Sequence, residues 1–502
     1  MSACAKSGLP RCGRTGMERS LAVPTDTPSD AELLASAAVA LNRHTDVLVE
    51  LGRLFADAGH DLFLVGGTVR DALLGRLNED LDFTTDARPE RILRIIADWA
   101  DAVWDTGIAF GTVSAAKRGT HYEFTTYRAD TYDGVTRNPE VSFGDTLEGD
   151  LVRRDFRMNA MAVRVTASGA GEFVDPLDGL ADVKAMVLDT PAEPEVSFGD
   201  DPLRMLRAAR FSSQLEGVTV TPRVRDALAR MAPELGRITA ERVSAELDKL
   251  LLGRDPVAGV ELMVDTGLGE VVLPEVGGMR MAIDEHHQHK DVYQHSLTVL
   301  RQAIDLEEGE PDLVLRWAAL LHDIGKPSTR KHEADGGVSF HHHEVVGAKM
   351  TRHRMRALKY SKQMVSDVSQ LVFLHLRFHG YGDGKWTDSA VRRYVTDAGP
   401  LLSRLHKLVR ADCTTRNRRR AARLQADYDD LEHRIADLAA KEDLQRVRPD
   451  LDGNEIMELL GIPAGPQVGR AWTFLKELRL ERGPLTRDEA TDELLAWWNA
   501  KG

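Results

Sequence analysis

Cysteine, long apolar runs and net positive charge are all scarce in this 502-residue chain, and each scarcity excludes something. Three cysteines (Cys4, Cys12 and Cys413) cannot build a disulfide framework and fit a reducing cytoplasm. No run of about 18 apolar residues occurs, which excludes a membrane-spanning helix. The N-terminal segment is basic but lacks the apolar stretch of a secretory signal. Residues 1–30, rich in Ser, Thr, Pro and Gly, therefore read as a disordered extension, with Met17 as an alternative start. A formal net charge of −14 argues against a protein that coats nucleic acid along its length. It leaves room for a local basic surface, because phosphate contacts depend on the local field.

What is present is a soluble globular composition, 42% hydrophobic and 29% charged, on a chain too long for one core. The pattern from Ala31 to Ala58 is helical. "DLFLVG" then reads as a buried strand, and "TVRDALLG" as a short helix with Gly75 at its C-cap. "DLDFTTD" is strand-like, and Pro89 suits the first turn of the next helix. "GTVSAAK" and "HYEFTTYR" alternate on either side of Arg118-Gly119-Thr120 and predict a hairpin. Beyond about residue 186 strand signals almost vanish and helical periodicity takes over. The fold class is thus α+β: a small head with a mixed or antiparallel sheet, followed by a long helical body. The heptapeptide "PEVSFGD" occurs at 139–145 and again at 194–200, which reads as chance similarity because it extends no further.

The stretch "LVGGTVRDALLGRLNEDLDFTTD" (64–86) carries the first chemical signal. Residues two apart on a strand share a face, so Asp80 and Asp82 place two carboxylates side by side with Leu81 turned to the core. Adjacent carboxylates repel unless a cation lies between them, and oxygen ligands suit Mg²⁺. Gly66 and Gly67, ahead of a helix, offer backbone N–H groups and room for a phosphate. Glu123, on a strand among polar neighbours, is the candidate third carboxylate for a metal-assisted phosphoryl or nucleotidyl transfer. Taken alone, a Gly-Gly followed by Asp-x-Asp fits edge charges and a turn better than a catalytic site.

They do not stand alone. The 64–86 stretch resembles the signature of the polymerase β-type nucleotidyltransferases, in the class II form used by bacterial CCA-adding tRNA nucleotidyltransferases and poly(A) polymerases. "RRDFRMNAMA" (153–162) is similar to that family's second motif, "DDPLRMLRAARF" (200–211) to its base-reading motif, and "ERVSAELDKLL" (241–251) to the helical motif that follows. The resemblance implies that Asp80 and Asp82 hold catalytic Mg²⁺ and that Gly66, Gly67 and Arg70 hold the triphosphate. Arg154, Asp155 and Asn159 would recognise the ribose. Asp201 and Arg204 would read the base, with Arg207 as a helper. In a helix i and i+3 share a face, so this carboxylate and guanidinium stand together and match an amine beside an acceptor, the pattern of cytosine and adenine. Asp200 stands where the family often has Glu. Residues 129–150 match the position of a loop that helps switch from C to A addition, and read equally well as a connector.

Histidine is unevenly spread: 13 of 17 lie between His286 and His406, so that region needs its own account. "LLHDIGKP" sets His322 beside Asp323, with His295 upstream and His343, His375 and Asp412 downstream. This ordered set resembles the HD phosphohydrolases. The resemblance implies a divalent metal of unspecified identity on His295, His322, Asp323 and Asp412, with His343 and His375 as candidate ligands of a second. His286, His287, His289, His332, His341 and His342 read as solvated loop residues. Arg416 and Arg418–Arg420 suit either a tRNA-backbone contact or a charged helix face.

The expectation is therefore a cytoplasmic CCA-adding enzyme acting on tRNA with CTP and ATP, of unspecified oligomeric state and without a membrane contact. Its domains would be an extension (1–30), a transferase head (31–185), a helical neck (186–285), an HD domain (286–425) and a helical tail (426–502). Three alternatives stay open: a poly(A) polymerase, a partial specialist adding only CC or only A, and an HD phosphohydrolase whose head merely binds RNA.

Overall fold

The computed structural model describes residues 28–104, 107, 111–128, 144, 146–280, 291–334, 337–378, 381, 386–414, 417–442 and 448–500. The N-terminal extension through residue 27, most of the 129–150 segment, the heptapeptide at 139–145 apart from Gly144, the histidines 286, 287 and 289, and Arg416 lie outside them. The chain divides into two compact units. One gathers the described residues up to 128 with those of 143–151 and 157–185; the other gathers 152–156 and everything from 186 onward.

The first unit is built on a seven-stranded sheet: β1 (Leu62–Val65), β2 (Leu81–Thr85), β3 (Ala102–Trp104), β4 (Thr112–Lys117), β5 (Thr120–Thr126), β6 (Ala162–Thr166) and β7 (Gly169–Val174). Their spatial order is β3-β4-β5-β2-β1-β6-β7. All neighbours are antiparallel except β2 and β5, which run parallel, so the sheet is mixed. β4 and β5 form the expected hairpin, closing through Arg118-Gly119. The alternation of the strands sorts the faces. Phe83 and Phe124, register partners on β2 and β5, stack at 5.0 Å between ring centroids, and Phe55 stacks on Phe124 at 5.8 Å. All three are about 1% exposed or less. Phe55 comes from the helix Thr45–Asp57, whose Leu48, Leu51 and Phe55 make an apolar stripe at helical spacing. The single helical pattern expected from Ala31 to Ala58 is in fact two helices, Asp30–Asn42 and Thr45–Asp57, because the chain turns at Arg43-His44.

Among its described residues the second unit is almost wholly helical, with only two-residue strand pairings at 187–188 with 219–220 and at 331–332 with 338–339. Its helix Ala240–Leu251 buries Val243, Glu246, Leu247, Leu250 and Leu251. Glu246 receives Arg210 Nη1 at 3.0 Å, both side chains being about a tenth exposed or less. At the C-terminal end the helix is fastened by groups distant in sequence. Trp317 Nε1 and Tyr360 Oη donate to Asp248 at 3.2 and 2.5 Å, and Arg316 Nη1 donates to the carbonyls of Leu251 and Gly253 at 2.6 and 2.8 Å. The other edge of the Arg316 guanidinium is bidentate on Glu307, at 2.8 and 2.6 Å. Helix ends leave carbonyls without intrahelical partners, and here a buried arginine supplies them. The last helices form a small core of their own around Leu451, Ile456, Ala471, Leu475, Ala490 and Leu494. The helix Arg418–Lys441 runs unbroken through position 425.

Arg316→Ala leaves Glu307 buried without its counter-charge and two carbonyls without a donor. We expect it to lower the unfolding free energy by about 3–5 kcal/mol, the usual cost of breaking a buried pair from one side, measurable by urea unfolding.

Candidate active sites

In the head, Asp80 sits just ahead of β2 and Asp82 is its second residue; both are exposed while Leu81 between them is fully buried. Glu123 is the direct register partner of Asp82 across the parallel β2–β5 pair and is exposed on the same face. The glycine turn is tied to this strand. Gly66 follows β1 with φ 69° and ψ −136°, a conformation that side chains strongly disfavour. Gly67 opens the short helix Gly67–Leu73, and a Cβ there would meet nothing closer than Arg70 Nη2 at 3.5 Å, so its backbone is open to approach. One residue on, the buried Thr68 accepts the Asp82 backbone N–H on Oγ1 at 2.9 Å. Turn and carboxylate are thus positioned by one hydrogen bond.

Arg70 is 6% exposed. It donates to Asp71 through Nε and Nη2, at 3.0 and 2.8 Å, and to Asn159 Oδ1 through Nη1 at 2.7 Å. The structure brings Arg70 and Asn159 together, with Arg70 as a brace beneath the turn. Asp71, which Arg76 also contacts at 2.9 Å, escaped the sequence reading. The acidic neighbour of a buried arginine carries no periodic signal.

In the helical unit, Asp155 is 5% exposed and pairs with Arg207 Nη2 at 2.7 Å, while Arg154 is half-buried. Asp201 corrects an expectation. It lies in extended backbone at the junction between the helices Pro194–Asp200 and Leu203–Gln214, not on the helix with Arg204. The Pro202 ring after it favours extended backbone and starts the next helix. Asp201 Oδ1 accepts Leu203 N–H at 3.1 Å and Oδ2 pairs with Arg242 Nη2 at 3.0 Å. Arg204 donates to Ser197 Oγ at 2.9 Å and to the Arg153 carbonyl at 2.6 Å. Each is held by its own partners, and Arg242, 41 residues from Asp201, could not be found by local spacing.

The second cluster is denser. His295, His322, Asp323, His343, His375 and Asp412 come from the ends or first turns of five helices and converge on one point. The helix Leu313–Leu321 that delivers His322 is buried almost all round, the signature of a central helix. Gly325 lets the chain leave the site, since a Cβ there would lie 2.2 Å from the His343 carbonyl. Asp323 Oδ2 is 3.2 Å from His322 Nε2 and 3.4 Å from His295 Nε2. Its other oxygen is 3.3 Å from His343 Nε2 and 3.8 Å from His375 Nε2. Asp412 Oδ1 lies 2.9 Å from His295 Nε2.

Each outer ring nitrogen is engaged. Nδ1 of His322, His343 and His375 faces the carbonyls of Ala319, Phe340 and Val372 at 2.9, 2.8 and 2.6 Å, and Nδ1 of His295 faces Thr414 Oγ1 at 3.1 Å. A carbonyl only accepts, so Nδ1 carries a proton in those three, and Nε2 faces inward. Asp323 Oδ1, His343 Nε2 and His375 Nε2 are buried without hydrogen-bond partners. Burial, reinforced by the His322 charge, pushes His375 down to about 3, so it is a neutral ring at physiological pH. Burial would raise Asp323, but His322, His343 and Lys326 hold it well below the usual carboxylate range. Lys326 Nζ, 2.5 Å from Asp323 Oδ2, is a contact the sequence reading missed. Two groups, His295-His322-Asp323 and Asp323-His343-His375, are each close enough to hold a metal ion, with Asp323 common to both. Among the described residues Asp80, Asp82 and Glu123 are not drawn together to that degree. His332, His341 and His342 are exposed and outside the cluster.

Three family models match the chain: a poly A polymerase head domain over residues 62–189, a probable RNA- and SrmB-binding site of polymerase A over 217–278, and an HD domain over 292–441. An A-adding tRNA nucleotidyltransferase of Deinococcus radiodurans is 33% identical over 448 residues, covering 86% of this chain and 95% of that protein. The chain belongs to the tRNA nucleotidyltransferase and poly(A) polymerase family. A CCA-adding enzyme of Leuconostoc mesenteroides is 42% identical over 207 residues, 41% of this chain and 49% of the relative. The crystal structure of the Bacillus stearothermophilus CCA-adding enzyme in complex with CTP superposes with a TM-score of 0.64 and 25% identity over 90% of this chain and 97% of its own. No helix among the described residues is long and apolar enough to cross a membrane.

The cluster geometry predicts stoichiometry. With Mn²⁺ and metal analysis after gel filtration, Asp323→Ala should lose every ion of the helical unit, whereas His375→Ala should lose one and keep the group built on His295 and His322.

Proposed function

We propose that this protein adds C, C and A to the 3′ end of tRNA without a nucleic-acid template, taking the nucleotides from CTP and ATP. The observation that carries the reading is the Asp82–Glu123 pair, two carboxylates side by side on an exposed sheet face, one strand from the Gly66-Gly67 turn. In this reading Asp80, Asp82 and Glu123 are the catalytic carboxylates. A divalent cation there, magnesium in our assignment, would supply the charge that activates the 3′-hydroxyl and neutralises the departing pyrophosphate. The chain's own part is positioning. The Thr68 hydrogen bond and the phenylalanines beneath hold Asp82 and Glu123 at a set spacing, and the open Gly67 backbone admits a triphosphate. Gly66, Gly67 and Arg70 are assigned to the triphosphate, and the Arg70–Asn159 hydrogen bond keeps the turn in shape.

Arg154, Asp155 and Asn159 are assigned to the ribose and to nucleotide placement, with Arg207, paired with Asp155, as a helper in reading the base. Asp201 and Arg204 read the base, the carboxylate accepting from an exocyclic amine and the guanidinium donating to the acceptor beside it. Cytosine and adenine share that pattern on one edge; uracil and guanine do not. Arg242 and Ser197 aim the two side chains. We assign residues 31–185 to the head, 186–285 to the neck, 286–425 to the HD domain and 426–502 to the tail, and place the protein in the cytoplasm. The His/Asp cluster is assigned a separate, metal-dependent phosphoester hydrolysis. Its buried, inward-facing ring nitrogens support this.

A second reading, addition of the terminal A alone, is favoured by the extent of the match to the A-adding relative. Primer extension on tRNA transcripts ending before CCA, after C and after CC, beside an unrelated RNA, separates the two. We expect ordered C, C and A on tRNA only, and loss by about a thousand-fold or more in Asp80→Ala/Asp82→Ala, given the several kcal/mol that a metal supplies to such a transition state. Extension only of the transcript ending in CC would establish the A-adding reading. Long A-tails on either RNA would make the protein a poly(A) polymerase.

A further inference from the structure

The register of the head sheet extends the catalytic row outward. Asp82 on β2 pairs with Glu123 on β5, Glu123 with Ser114 on β4, and Ser114 with Trp104 on β3. Directly opposed residues share a face, so these four side chains stand in one row. At about 4.8 Å between strands the row measures roughly 14 Å from Asp82 to Trp104. Trp104 is 41% exposed, and its ring stacks on the exposed imidazole of His121, 5.6 Å between centroids and 22° apart in plane. His121 lies two residues before Glu123, hence on the same face. In the other direction along the strands, Thr112 and Thr125 touch hydroxyl to hydroxyl at 3.1 Å, and Arg128 Nη2 donates to Thr112 at 2.8 Å. An exposed aromatic shelf and a guanidinium thus flank the carboxylates.

Core packing does not account for the shelf. On the β3–β5 side the apolar core lies on the opposite face, where Tyr122, Phe124, Val113 and Ala115 are 3% exposed or less, and the buried cluster on the shelf's own face gathers around Phe63 and Val65 on β1. Strand order supplies the direction of approach: the Gly66-Gly67 turn belongs to β1, on one side of β2, and the shelf lies on the other, at the β3 edge. A nucleotide whose triphosphate rests on the turn therefore leaves the β3 side to the second substrate. That substrate is an unpaired RNA end whose last base is not the same at every step, and stacking accepts any base because every base has a π face.

We propose that Trp104, backed by His121, stacks a base of the unpaired RNA 3′ end whose terminal hydroxyl reacts at Asp82 and Glu123. This rests on the transferase reading and names the track of its RNA substrate. Trp104→Ala should raise the KM for a tRNA primer roughly ten-fold or more, the loss expected when one base gives up aromatic stacking, while the KM for CTP stays put. Trp104→Phe should restore most of the primer affinity. Independently of turnover, a short single-stranded RNA added with EDTA should quench fluorescence in the wild type more than in Trp104→Phe. An unchanged primer KM in Trp104→Ala, or equal quenching in both proteins, would overturn the proposal. So would a rise in the KM for CTP alone, which would make the shelf a nucleotide contact. Wild-type protein that shows the quenching yet adds no nucleotide would sink the transferase reading and leave the RNA contact standing.

Discussion

The parallel pairing of β2 with β5 is the constraint on which the head depends. It sets Asp82 against Glu123 on one face and Phe83 against Phe124 on the other, in consecutive register pairs. Like charges directly opposed across a sheet are unfavourable, by a fraction of a kcal/mol to about one when exposed. The stacked, fully buried phenylalanines beneath them, joined by Phe55, outweigh this several-fold through apolar burial and ring contact. The acidic pair is therefore held in place by its underside. A one-residue slip would exchange charges for rings, so the core that stabilises the head also specifies which oxygens meet the solvent.

The helical unit solves the same problem by a different route. Asp323 is buried, and burial opposes its charge, yet it stays ionised because His322, His343 and Lys326 surround it. The histidines are in turn oriented by backbone carbonyls at the ends of their own helices. Three of the partners of Asp323, His322, His343 and His375, are thus anchored to the main chain, which aligns their inward nitrogens. Exposed carboxylates on a sheet face are open to a large polymeric substrate, whereas a buried His/Asp nest suits tightly held ions.

The legible parts were those written in local periods. Strand alternation exposed Asp82 beside a buried Leu81, and the hairpin around Arg118-Gly119 followed from its turn residues. The six His and Asp residues were recognisable as an ordered set, although the splitting of Asp323 between two groups needs three dimensions. Asp201 misled because the sequence continues in helical letters through 200–211, and only the turn at Pro202 takes it off the helix. Arg242, Arg316 and Lys326 were illegible for a simpler reason: an arginine or lysine on a helix is ordinarily solvated, and nothing local reveals that its partner is a carbonyl 65 residues away or a buried carboxylate.

The helix Ala240–Leu251 touches Asp201 through Arg242 and receives Arg316 at its far end. Dissecting the chain ahead of residue 313 would strip the final turn of that helix of its donors and loosen the element that aims the Asp201 carboxylate. A shorter chain would thus be a worse chain for reasons unrelated to the chemistry of the His/Asp cluster. Selection on nucleotide addition alone would then preserve the fold of the His/Asp core even in descendants whose ligands had drifted away, so ligand loss and scaffold loss should be uncoupled in its lineage.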